Sequence, residues 1–111
     1  VDGEPMPIFD RETGAVDVLA TELWKPYDIR LKLERAWKVR NEDLAGKIRV
    51  YAGEVDTFYL EGAVRMLANM AEREGIDATI EVIDGMGHSL YRGGMMDMLQ
   101  TIKERWEARE E

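Results

Sequence analysis

Lys47-Ile-Arg-Val-Tyr-Ala-Gly-Glu-Val-Asp56-Thr-Phe58 and Ala78-Thr-Ile-Glu-Val-Ile-Asp-Gly-Met-Gly-His88-Ser-Leu-Tyr91 bound the stretch whose reading decides the fold. Each begins as a short strand rich in β-branched residues and runs into a loop. Between them Leu60, Val64, Leu67 and Ala71 recur at helical spacing, with Ala63 and Met70 widening that face, over about 59–74. Gly75 suits the residue after a helix, where a left-handed backbone is common. Strand, helix, strand in this order implies a right-handed parallel βαβ unit, with strands at about 47–52 and 78–83. Both loops then fall at the C-terminal ends of parallel strands, the edge where open α/β sheets place their ligands.

Working outward, Asp28 is placed as the N-cap of a helix over about 29–40, on which Ile29, Leu33, Ala36 and Trp37 share a face. Asn41 to Gly46 ends that helix. A last helix over about 95–109 carries Met95, Met98, Leu99, Ile102 and Trp106 on one side, and the glycines at 85, 87, 93 and 94 mark loop before it. Residues 1–28 hold all three prolines and no sustained period, so they read as an extended N-terminal arm ahead of a 29–111 βαβα segment. The fold class is therefore α/β: two parallel strands and three helices. Two parallel strands alone leave open edges and an uncovered apolar face. The expected partner is a missing N-terminal segment or a second copy of the chain, which makes a homo-oligomer an expectation.

Composition narrows the function. The chain has 111 residues, 45% of them hydrophobic and 34% charged, with a formal net charge of −8. That balance argues against nucleic acid and anionic membrane surfaces, both of which attract basic patches. No apolar run approaches the roughly 20 residues of a membrane helix. With no cysteine, disulfides and thiolate metal sites are excluded. No cluster of Asp, Glu and His has metal-ligand spacing, and the Gly85-x-Gly87 loop lacks the third glycine and the lysine context of a phosphate cradle. Neither a metal nor a cofactor is expected.

The two loops carry the chemistry. Asp56 follows the first strand, and His88, the sole histidine, follows the second. An acid and an imidazole on adjacent strand ends are two members of a Ser-His-Asp triad. Each has a plainer alternative: Asp56 as the N-cap of the helix that follows, His88 as a loop residue bonded to backbone. Glu54 is a second acid in the same loop. Ser89, the only serine, adjoins His88, but neighbours on one extended loop rarely aim at each other. The methionines at 86, 95, 96 and 98 suit either an adaptable apolar pocket or plain packing, the simpler reading. The tryptophans at 24, 37 and 106 read as buried anchors, and the glutamates at 72, 74, 104, 107, 110 and 111 as solvated helix surface.

Gly53-x-x-Asp56-x-Phe58 after one strand and Gly85-x-x-His88-Ser89 after the next resemble the C-terminal end of the α/β-hydrolase fold. The similarity is closest to the esterase branch that includes S-formylglutathione hydrolase, feruloyl esterase and enterochelin-esterase-like proteins. Phe9-Asp-Arg-Glu-Thr-Gly14 and Leu23-Trp24 to Asp28 resemble the segment that precedes that strand, so the likeness extends over about 5–108. It implies a partial α/β-hydrolase fold, Asp56 as the triad acid and His88 as its base. The nucleophile of that family lies in Gly-x-Ser-x-Gly at a strand-to-helix turn, and this chain has no such motif. The oxyanion-hole donors also belong upstream of the residues present here. The resemblance thus implies a C-terminal segment of a serine carboxylic ester hydrolase that is inactive by itself. The rival expectation is a non-catalytic, self-associating α/β module. A complete small enzyme built on Asp56, His88 and Ser89 is a third reading, and it lacks any oxyanion-hole candidate.

Overall fold

The computed structural model describes Gly3 and residues 6–109. Among these the order is helix α1 (Val18–Trp24), a 3-10 turn (Lys25–Tyr27), helix α2 (Ile29–Leu44), strand β1 (Ile48–Gly53), helix α3 (Leu60–Arg73), strand β2 (Ala78–Ile83) and helix α4 (Arg92–Glu107). The mixed α/β class with a two-stranded parallel sheet is as expected. The chain divides into two compact units between Val39 and Arg40. The division coincides with an interruption of α2, where Arg40 leaves helical geometry at φ −139° and ψ 28°.

In the first unit a turn at Asp10 brings Phe9 and Val16 into an antiparallel bridge. The Asp10 carboxylate accepts the backbone N–H groups of Glu12 and Thr13. The expected extended arm over 1–28 is corrected here: its later part is helical. Asp17 caps α1 by accepting the Ala20 N–H at 2.9 Å. Seven residues make about two turns, too few for a periodic pattern to stand out. Asp28 caps α2 through the Leu31 N–H at 3.0 Å, as expected.

The second unit is the βαβα segment. β1 and β2 pair in parallel from Ile48 opposite Ala78 to Gly53 opposite Ile83. Side chains alternate across a strand, and the contacts follow that rule. Arg49 and Tyr51 face α4: Arg49 bonds the Asp97 carboxylate and the Thr101 hydroxyl, and the Tyr51 ring lies against Gly94. Ala78 and Ile80 line a groove with Ala68 and Ala71 of α3 on the other face. Ala52, Leu67, Met70, Ala71 and Ile76 are buried there, and among the described residues Met70 is the one large side chain fully enclosed.

Three further expectations change. α4 begins at Arg92, so Gly93 and Gly94 lie inside its first turn and not in the loop. Gly94 is glycine because a Cβ there would collide with the Tyr51 ring, a packing reason the local sequence does not announce. The apolar side of α4 is exposed at Met95, Met96, Met98, Leu99, Ile102 and Trp106. Trp24 and Trp106, expected as buried anchors, are both more than half exposed. Glu110 and Glu111 lie outside the described residues, and so does Pro5. Among the described residues no helix is long and apolar enough to cross a membrane.

Candidate active site

β1 and β2 end side by side, so the loops that follow them start as neighbours. The ladder continues one step past the strands, with the Glu54 N–H donating to Ile83 O at 2.9 Å. The β2 loop then turns over the end of β1, where the Val55 N–H donates to Met86 O at 3.0 Å. This crossing is possible because residue 53 has no side chain. A Cβ at Gly53 would run into the carbonyl oxygens of Met86 and Gly87. Glu54, read from sequence as a second acid, is a brace: its carboxylate accepts the Gly85 N–H at 2.9 Å.

The crossing brings Asp56 and His88 together. Asp56 Oδ2 lies 2.9 Å from His88 Nδ1. A carboxylate only accepts hydrogen bonds, so Nδ1 carries the proton and Nε2 keeps its lone pair in the neutral ring. The other oxygen, Oδ1, accepts the Phe58 N–H at 2.7 Å. Asp56 is 6% exposed, whereas half of the His88 side chain is open to solvent. The alternative of Asp56 as a helix cap does not hold. The residue preceding α3 is Tyr59, in a left-handed conformation at φ 58°, and no side chain caps the helix. The Phe58 ring meets the imidazole edge to face, with centroids 4.6 Å apart.

Several influences act on the Asp56 carboxyl. Burial is the largest and pushes its pKa up. The bonds from His88 and from the Phe58 N–H, with the charge of a protonated His88, together outweigh burial and hold the carboxyl below the usual carboxylate range. Asp56 is therefore ionised at neutral pH, the form that orients an imidazole and stabilises an imidazolium.

Ser89 is exposed and no hydrogen bond joins it to His88. Met86 lies in the crossing loop, while Met95, Met96 and Met98 sit exposed on α4. Among the described residues no group of three or more His, Asp or Glu side chains is placed to hold a metal ion. Sequence reasoning missed the role of the Phe58 ring and the Glu54 brace. Gly53 at a strand end was the one available signal of a close backbone approach. Comparison with family models, curated proteins and solved structures gives no match to the chain.

Two outcomes are expected. Gly53→Ala should lower stability by about 3 kcal/mol, the upper range for overpacking, because backbone carbonyls yield less than side chains. Gly87→Ala, where a Cβ meets nothing within 4 Å, should stay within about 1 kcal/mol; urea denaturation of both variants measures the difference. The depressed Asp56 pKa adds stability that is fully present above the ordinary carboxylate range, about pH 4, and is lost as pH falls through the lower folded value. The stability gap between the parent chain and Asp56→Asn should therefore shrink on acidification, as read from urea midpoints across that range.

Proposed function

We propose that the chain supplies the acid and base of a Ser-His-Asp triad in a serine carboxylic ester hydrolase, with the nucleophile brought by another polypeptide segment. The observation that carries this reading is the bond between buried, ionised Asp56 and half-exposed His88, which leaves Nε2 as the free basic nitrogen. In this reading His88 Nε2 takes the proton from an attacking serine hydroxyl and returns it to the leaving alcohol. Asp56 holds the tautomer and stabilises the imidazolium that forms between these steps. The likeness of the two loops to those of the esterase branch supports the same assignment.

Such a site needs its missing parts. The isolated chain should turn over no p-nitrophenyl ester and take up no fluorophosphonate. In a polypeptide that joins this sequence to a nucleophile-bearing segment, fluorophosphonate should label a serine outside these residues. There Asp56→Asn should lower ester turnover by about 10,000-fold, with His88→Ala at least as severe. Ester turnover by the 111-residue chain that disappears in His88→Ala would overturn the claim that the nucleophile lies elsewhere. A joined polypeptide whose turnover is indifferent to His88→Ala would overturn the triad assignment.

A second reading, a non-catalytic α/β module that self-associates, is favoured by one observation: the exposed apolar residues of α4 beside a sheet of only two strands. It expects a sedimentation mass of a multiple of 12.8 kDa at micromolar concentration. A monomer at every concentration would end it.

A further inference from the structure

Phe58 touches both members of the Asp56–His88 pair, by two different parts of the same residue. Its backbone N–H donates to Asp56 Oδ1 at 2.7 Å. Its ring packs edge to face on the His88 imidazole, with the planes 63° apart and centroids 4.6 Å apart. The remaining support of the pair comes from the loop backbone: the Asp56 N–H donates to Gly53 O, and the Tyr59 N–H to Asp56 O. The carboxylate is therefore held on both oxygens, and among the described residues the imidazole has one hydrogen bond and one aromatic contact.

A ring with a single hydrogen bond on one nitrogen can still swing about its Cβ–Cγ bond. Half of the His88 side chain is exposed, so water competes for Nδ1. A contact against the ring face or edge restricts that swing. Core packing does not explain where Phe58 sits, since it is 68% exposed. The aromatic contact that its ring makes is with the sole histidine.

We propose that Phe58 is the positioning residue of the pair, acting through His88. Its ring holds the imidazole in the rotamer that keeps Nδ1–H on Asp56 and Nε2 directed outward. The inference rests on the reading of His88 as a base, and it adds the element that sets how much of the time the base is correctly posed. The amide and the ring have separable tasks. The amide keeps the carboxylate in place, and the ring keeps the imidazole on the carboxylate.

Because His88 is the only histidine, imidazole nitrogen NMR reads it without assignment ambiguity. When neutral, the ring should carry its proton on Nδ1, with slow exchange of that proton. Phe58→Ala keeps the backbone N–H and removes the ring. It should raise the fraction of imidazole released from Asp56 about two- to tenfold, the range set by one aromatic contact. Proton exchange at Nδ1 should accelerate and protonated Nε2 should appear. Phe58→Tyr should restore the parent pattern, and Phe58→Leu, which keeps apolar bulk without the ring, should behave like alanine. A merely structural role would move unfolding midpoints and leave the nitrogen pattern alone. Parent-like nitrogen shifts and exchange in Phe58→Ala overturn the proposal. Asp56→Asn separates the two failures. If it changes the His88 pattern while Phe58→Ala does not, only the role of Phe58 falls. If it too changes nothing, the underlying pair falls with it.

Discussion

The contact of backbone on backbone at Gly53 is the constraint on which the second unit depends. Parallel strands end with their loops side by side, which is adjacency without contact. For His88 to reach Asp56, the loop after β2 must cross the end of β1 at van der Waals distance from its main chain. Any side chain at residue 53 would stand in the path of the Met86 and Gly87 carbonyls. Once that crossing exists, the Val55–Met86 hydrogen bond and the Glu54 brace fix its height and direction. The Asp56–His88 bond is then a consequence of how the loops stack and needs no long or flexible side chain.

That stacking also decides the electrostatics. A carboxylate withdrawn from water is held in its charged form only if donors replace the water it loses. Asp56 finds two, one on each oxygen: the Phe58 N–H two residues on in its own loop, and His88, which the crossing brings to it. The net charge of −8 has little bearing on this site, because exposed charges are screened within about 10 Å at ordinary ionic strength. The local donors win. An acid that is buried and ionised beside an imidazole that is half exposed is an asymmetric pair.

The rest of the second unit is economical. One helix lies on each face of a two-stranded sheet, and among the described residues Met70 is the one large side chain wholly enclosed. α4 is held to β1 by polar and steric fit, Arg49 with Asp97 and Thr101 and Tyr51 with Gly94, while its apolar residues remain exposed. An α/β sheet is ordinarily covered on both faces and extended by further strands. The exposed face of α4 and the brevity of the sheet are one fact seen twice: too few strands give the helices too little to pack on.

The order of elements was legible in the chain itself. Two short runs with β-branched residues, at about 47–52 and 78–83, flank a stretch with helical period, and both signals depend only on local geometry. The placement of Asp56 and His88 just past the two strands followed from the same pattern, and Asp28 announced its helix by its type and position. The short helix at Val18 was not legible, because seven residues carry too little periodicity. Gly94 was misread as loop because its reason for being glycine is the Tyr51 ring, more than forty residues away in the chain, while a Cβ at Gly93 would meet the Tyr91 ring. The exposure of Trp106 could not be read from a pattern that describes one helix at a time. Sequence alone determined which residues stand at the strand ends, since strand direction and connection order follow from local periodicity and the handedness of crossovers. Tertiary structure alone decided that the loops cross, that Glu54 bonds the Gly85 amide while Asp56 bonds the imidazole, and that Phe58 lies on the imidazole, since each depends on which backbone passes over which.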